Sequence, residues 1–284
     1  MFLRFLVTAA ALSAQSYVET VAGTGWIFPS TPGPALQAPL AAVQGIVADA
    51  NGNLYVADFD NHVVVKIDTR GILSVFAGNG LQGLDGDGAP ATQAELDGPS
   101  GLAFDPQGNL LIVAAGSGKI RRVDRVGVIS TIAGGGENPS DGATALNARI
   151  DPWSIAVDTR GIIHFSEPQM HRVRQIDANG IVRTVAGTGI AGFSGDGGLA
   201  IQARLDDPFS IAFDAAGNLY IADNDNHRIR RVRPNGSIDT FAGNGEIGLA
   251  NLNGPAARAQ LSYPETVYAD RQGNMAIFAQ APKK

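Results

Sequence analysis

The chain has 284 residues, 44% of them hydrophobic and 17% charged, with 36 glycines, 15 prolines and no cysteine. Glycine and proline together stay below the roughly 25–30% that marks low-complexity chains, and the missing thiols exclude a disulfide scaffold, a Cys-ligated zinc module, an iron–sulfur protein and a cysteine nucleophile. A net charge of −6 argues against a general nucleic-acid binder, which works by neutralising phosphates.

At the N-terminus, Met1 to Arg4 precede the apolar run Phe5 to Leu12 and then Ser13-Ala14-Gln15. A short basic start, an apolar stretch and small residues make the pattern of a secretory signal peptide ending near Ala14. Residues 1–14 are therefore expected to be a leader and 15–284 the folded domain, placed in the periplasm or outside the cell. The run is too short to cross a bilayer, which takes ~20 residues, so no membrane span is expected.

Behind the leader the sequence repeats. Ala-Gly, preceded by a β-branched or aromatic residue, recurs at Ala22-Gly23, Ala77-Gly78, Ala133-Gly134, Ala186-Gly187 and Ala242-Gly243, at spacings of 55, 56, 53 and 56 residues. A second marker keeps the same period: Gly45 to Asp49, Gly101 to Asp105, Ser154 to Asp158, Ser210 to Asp214 and Thr266 to Asp270. A fixed period of this length marks a solenoid, propeller or array.

Within a unit, short apolar and β-branched runs alternate with turn residues, the pattern of an all-β fold. The fourth unit reads as strands at Ser210 to Asp214, Leu219 to Asp223, His227 to Val232 and Ser237 to Ala242, separated by Ala215-Ala216-Gly217-Asn218, Asn224-Asp225-Asn226 and Pro234-Asn235-Gly236. Four antiparallel strands make one propeller blade. Between units, Ala91 to Leu96, Ala145 to Ile150, Ala200 to Leu205 and Ala256 to Leu261, with Gly33 to Leu40 as their counterpart, place Ala, Ala and Leu or Ile at i, i+3 and i+5. That spacing predicts a single helical turn clamping the large residue against the next blade, ended by Pro99, Pro152, Pro208 or Pro264.

The count gives five first, five second, four third and five fourth strands, because Tyr17 to Ala22 is a fourth strand without predecessors and the chain stops after Met275 to Ala279. The predicted architecture is a β-propeller of five four-stranded blades, the last shared between N- and C-terminal strands. Its missing third strand is left as a gap before Pro282-Lys283-Lys284, is filled by the Phe5 to Ala11 run, or marks a shortened six-bladed relative.

The strings GNLYVADFDNHVVVKID, GNLYIADNDNHRIRRV and TVAGTG, with GDG ahead of AxxAxL, resemble NHL repeats in the long-unit form of bacterial secreted repeat proteins and teneurin-like propellers. The resemblance runs from Tyr17 onward and implies an NHL-type propeller. For function it implies several classes: RNA- and protein-binding modules, extracellular sensor domains and peptide-amidating lyases. Fold alone does not choose among them.

His62, His171 and His227 fall at matching repeat positions, Lys119 standing there in the second unit, and His164 lies apart in a second strand. Three histidines on a ring could converge on zinc, and the resemblance to histidine–metal lyases points the same way; the Asp-x-x-Asn-His context instead suits hydrogen bonding of the turn between strands two and three. Asp85 and Asp87, like Ser194 to Gly197, make oxygen-rich loops that could meet calcium but lack the spacing of a calcium loop, so turn chemistry is expected and no cofactor is predicted. Gly116 to Lys119 lacks the first glycine of a phosphate loop and precedes a strand. Arg121, Arg122, Arg172, Arg174, Arg228, Arg230 and Arg231 alternate with Ile and Val, as on a solvated strand face. The reading is a non-catalytic extracytoplasmic binding or scaffold module for a protein or envelope ligand; the alternative is a metal-dependent lyase or lactonase working in the central channel.

Overall fold

The structure, a computed structural model, describes the backbone of residues 6–8 and residues 31–270 and 273–280. The Tyr17 to Ala22 strand and the cleavage site near Ala14 lie outside them. The N-terminal strand β1 is Leu6–Thr8. The first blade holds β2 (Gly33–Pro34), β3 (Val43–Ala48), β4 (Leu54–Asp58), β5 (Val63–Ile67) and β6 (Ile72–Ala77). The second holds β7 (Pro99–Phe104), β8 (Leu110–Ala114), β9 (Lys119–Val123) and β10 (Ile129–Gly134). The third holds β11 (Ile155–Val157), β12 (Ile163–Glu167), β13 (Arg172–Ile176) and β14 (Val182–Ala186), and the fourth β15 (Pro208–Phe213), β16 (Leu219–Asp223), β17 (Arg228–Val232) and β18 (Ile238–Ala242). Among the described residues, β19 (Pro264–Ala269) and β20 (Met275–Ala279) follow.

Each of the four complete sheets pairs its strands antiparallel in sequence order, with β2 added beside β6. The last sheet has the order β1-β20-β19, so the N-terminal strand stands where a third strand stands elsewhere. The fold class is an all-β propeller with four-stranded antiparallel blades. The chain divides into two compact units between Ser154 and Ile155, β1 going with the second.

Burial of the apolar faces between successive sheets holds each unit together. Val64, Ala77 and Tyr55 of the first blade pack on Leu102, Leu110 and Ile112 of the second. In the other unit, Val173 and Ala186 pack on Ile211 and Ile221, and Tyr220 and Ile229 on Val267 and Met275. The predicted helical turns are 3-10 turns at Ala35–Gln37, Ala91–Gln93, Ala145–Asn147, Ala200–Gln202 and Ala256–Arg258. Ala91, Ala94 and Leu96 are almost wholly buried, as the i, i+3, i+5 spacing requires.

The recurring Ala-Gly marker has a steric cause. Gly78, Gly187 and Gly243 all have positive φ, and a Cβ on any of them would lie 2.3 Å from the carbonyl oxygen of His62, His171 or His227 respectively. The end of the fourth strand thus rests on the turn between strands two and three, where only glycine fits.

Candidate functional site

The two ends of a blade differ in chemistry. At one end, the turns between strands one and two and between three and four are built on aspartates: Asp49 Oδ1 accepts the N–H groups of Asn51 and Asn53, and Asp105, Asp124, Asp158 and Asp177 hold their turns in the same way. Such Asx turns close the backbone on itself. At the other end lie the turns between strands two and three and the long connectors to the next blade. Leu81, Leu84, Ile190, Phe193, Ile247 and Leu249, all on connectors, are exposed large apolar residues, joined there by Met170 and Tyr263. Among the described residues, Val126 is exposed on an aspartate turn, and Leu36, Leu199 and Ile201 are exposed on the 3-10 turns of the connectors, whose backbones bond to the turns between strands three and four at Gly71 and Gly236.

The histidines belong to the connector end. His62, His171 and His227 are all left-handed, with φ of 55°, 48° and 54°. The N–H groups of Gly98, Asp207 and Tyr263 donate to their Nδ1 atoms, each at 3.3 Å and each 36 residues further along the chain. Those three donors are left-handed too. Each histidine therefore fastens its own turn to the connector of the following blade, beyond the local role expected of it. In the second blade the matching residue is Gly118, not Lys119: Lys119 opens β9 as Arg172 opens β13 and Arg228 opens β17. Gly118 is left-handed, and a Cβ there would lie 2.6 Å from the carbonyl oxygen of Ile150, which leaves no room for histidine.

The Asp-x-x-Asn-His motif completes this link. Asp58 and Asp223 are wholly buried. Asp58 accepts the Ala41 N–H and the Asn61 amide, and Asp223 the Asp206 N–H and the Asn226 amide. The second carboxamide hydrogen bonds go to Pro39 O and Gly192 O on the preceding connector. Burial pushes the Asp223 carboxyl up to about 6, against the hydrogen bonds from Asp206, Asn226 and Arg230.

The arginines correct the sequence reading. Arg122 is exposed and Arg172, Arg228 and Arg231 are half-buried, but Arg121, Arg174 and Arg230 are entirely buried. Arg121 Nη2 donates to Asp87 Oδ1 at 2.8 Å and Arg230 Nη2 to Asp196 Oδ1 at 2.6 Å, both across 34 residues. Arg230 also reaches Asp223 Oδ2 at 3.2 Å and the carbonyls of Ser194 and Arg204. A strand face that alternates Arg with Ile looks solvated in sequence. Here Arg121 and Arg230 point into the blade, because their counter-ions arrive on the glycine-rich connector loops, while the buried Arg174 lies 3.8 Å from Glu167 at the end of β12 in its own blade. The same pairs account for those loops. Burial raises the Asp87 carboxyl, but hydrogen bonds from Thr131 and the Arg121 guanidinium hold it below the ordinary range. Asp196 Oδ2 accepts the Thr240 hydroxyl. Asp85 contributes backbone, its carbonyl accepting the Glu95 N–H. Among the described residues no three His, Asp or Glu side chains are grouped to hold one ion. A cavity of about 460 Å³ is lined by Asn251 to Pro255 and Arg258 of a single connector, with neither histidine nor carboxylate in its wall.

His164 occupies the place of Tyr55 and Tyr220, opposite Gln175 as they are opposite Lys66 and Arg231. The two tyrosine hydroxyls reach Asp49 and Asp214, and His164 Nε2 lies 3.7 Å from the matching Asp158, with the ring edge-on to Phe213. Burial lowers its pKa from the ordinary 6.5 to about 4, so it is neutral at pH 7. Unfolding then takes up a proton between those values, and the folded state loses stability as pH falls through 6.5 toward 4. Relative to His164→Leu, the residue that the second blade has at Leu111, the parent should lose about 2 kcal/mol between pH 7 and pH 5. Denaturation at both pH values checks it; equal losses in parent and variant would refute a buried neutral imidazole.

An NHL-repeat family model matches residues 205–232. Teneurin-m of Drosophila melanogaster is 32% identical over 223 residues, covering 68% of this chain, while the chain spans 8% of that protein's length. Among solved structures, the virginiamycin B lyase of Staphylococcus aureus superposes with a TM-score of 0.52 at 15% identity, over 84% of this chain and 63% of that one. A chain of the nidogen/laminin complex superposes with a TM-score of 0.55 at 16% identity, over 83% and 71%. Identities this low carry the fold alone.

Proposed function

The chain being an NHL-repeat protein of β-propeller fold, we propose that it is a non-catalytic binding module working outside the cytoplasm, with a protein or cell-envelope partner seated on the connector end of the blades. The observation that carries this is the group of exposed large apolar side chains, Leu81, Leu84, Ile190, Phe193, Ile247 and Leu249, on the connector stretches that directly follow the fourth strands, beside the histidine turns. Exposed apolar groups rimmed by polar ones mark interaction surfaces. Rigid turns behind them, tied to the next blade by the histidine links, let such a surface bind with little ordering cost.

The test uses Leu81→Asp, Ile190→Asp and Ile247→Asp together, against Val126→Asp at the other end. These side chains are more than half exposed, so each change should move stability by less than about 0.5 kcal/mol. Immobilised parent and the Val126→Asp variant should retain the same discrete proteins from a cell-envelope extract, and the triple variant should release them. Equal retention by all three would sink the reading. The rival enzyme reading is supported by the likeness in fold to a lyase, and stoichiometric zinc in purified protein would favour it.

A further inference from the structure

We propose that the connector between β14 and β15 is a docking site for an acidic segment of a partner protein, which sets a carboxylate against Arg228 and Arg204 and an apolar side chain against Ile190 and Phe193. The inference deepens the binding reading above and rests on it for the choice of face. Ile190 and Phe193 are 55% and 42% exposed. Two cations hold the Phe193 ring, whose centroid lies 3.9 Å from Cζ of Arg228 and 4.7 Å from Cζ of Arg230. Such stacking also fixes the guanidinium groups in place.

The two arginines differ in their counter-ions. Arg230 pairs with Asp196 and Asp223. In the third blade the residue matching Arg228 is Arg172, which donates to Glu167 at 2.6 Å. Asp223 stands in the place of Glu167 but is one methylene shorter, and its oxygens are taken by the Asp206 N–H, the Asn226 amide and Arg230. Arg228 turns instead to carbonyls, Nη1 donating to Asn226 O at 3.0 Å and Nη2 to Asn244 O at 2.8 Å. Its Nε carries no hydrogen bond and, unlike that of Arg230, is not buried. Among the described residues neither Arg228 nor the exposed Arg204 has a carboxylate partner. A cation held in place with donors to spare, beside an exposed apolar pair, is prepared for a carboxylate.

The connector between β6 and β7 supplies the contrast. Leu81 and Leu84 stand there for Ile190 and Phe193, 60% and 41% exposed. Matching hydrogen bonds, from Arg121 to Glu95 O and from Arg230 to Arg204 O, fix the equivalence. The charges are reversed: Asp85 and Glu95 replace Ser194 and Arg204, and Val63 replaces Arg228. Two similar apolar pairs thus sit in opposite fields, so an acidic segment is accepted on one and repelled on the other. The apolar pair favours a peptide, which supplies both chemistries, over an acidic glycan, which supplies carboxylates alone.

The probe is a fluorescent synthetic peptide, Gly-Leu-Glu-Glu-Leu-Gly, with a version carrying Gln in place of both Glu as control. In anisotropy titrations of the full chain, the acidic peptide should bind saturably and at least about tenfold more tightly than the control. Arg204→Glu, which installs the residue of the other connector at an exposed position, should weaken the acidic peptide at least about tenfold and leave the thermal midpoint unchanged. Glu95→Gln should leave the affinity as it is. Absence of saturable binding, equal affinity for the two peptides, or an Arg204→Glu variant that binds like the parent would each overturn the proposal. An oligogalacturonate that competes as well as the peptide would overturn the protein segment in favour of an acidic glycan. Retention from the envelope extract separates the two readings: release by the triple aspartate variant with full retention by Arg204→Glu refutes the acidic partner but leaves the binding face standing.

Discussion

Replacing Arg230 by valine should destabilise the protein by about 3–5 kcal/mol, the usual cost of removing one partner from a buried ion pair. Valine is the residue that the first blade has at the matching Val65, so side-chain size by itself would predict a mild effect. The surroundings are what differ. Arg230 lies between Asp223, wholly buried, and Asp196, whose side chain is 40% exposed. Without the guanidinium, water can still reach Asp196 but not Asp223, and the carbonyls of Ser194 and Arg204 lose their donor. The damage should deepen as pH rises. A carboxyl already pushed up to about 6 by burial climbs further without its cation. The folded variant then holds a proton that the unfolded chain releases, and stability falls across that range. Denaturant curves at pH 5 and pH 8, in a cycle with Asp196→Asn, measure both effects; the two changes should couple by at least about 1 kcal/mol. A cost under about 1 kcal/mol without coupling would mean that the pair is incidental to the fold.

The second large effect belongs to Gly243→Ala. Its φ is 88°, and an added Cβ would lie 2.3 Å from the carbonyl oxygen of His227 and 2.9 Å from the Cα of Arg228. Neither atom can step aside without moving the turn that His227 fastens to Tyr263. Backbone strain contributes about 1–3 kcal/mol and forced overpacking a similar amount, giving a loss of about 3–5 kcal/mol. Gly236→Ala is the control: its φ is 82° and nothing lies within 4 Å of the added carbon, so it carries the strain without the collision. Thermal midpoints should fall much further for Gly243→Ala. Equal falls would assign the marker glycine to backbone conformation alone.

Repetition made the blades legible: the period of about 55 residues placed the first, second and third strands of the complete units, and one of the three outcomes left open by the strand count, an N-terminal strand from the Phe5 to Ala11 run in the third position of the last sheet, is where Leu6–Thr8 stands. The candidate site was less legible, for physical reasons that differ by residue. The Asp-x-x-Asn-His turns were visible as local hydrogen bonding, but their bonds to connectors lie 36 residues away, a distance that local turn chemistry does not disclose. Arg121 and Arg230 read as surface residues because a strand pattern does not show which polar position has a counter-ion waiting inside. The common separation of 34 residues from Asp87 and Asp196 was the signal available. Gly118 shows a further limit, since its role becomes apparent only once Ile150 is seen against it.

The depth of the second strands has a consequence for how the molecule breathes. Every residue of β8 and β16 is buried, whereas β3 alternates between exposed and half-buried positions. Ile46 on β3 is 59% exposed, while its counterparts Leu102, Ile155, Ile211 and Val267 are all below 9%. Amide hydrogens in Leu110–Ala114 and Leu219–Asp223 should therefore exchange with solvent only through global unfolding, and those of Val43–Ala48 through cheap local opening. Strand β3 would then fray and re-form many times within the lifetime of the buried β4 and β5 beside it.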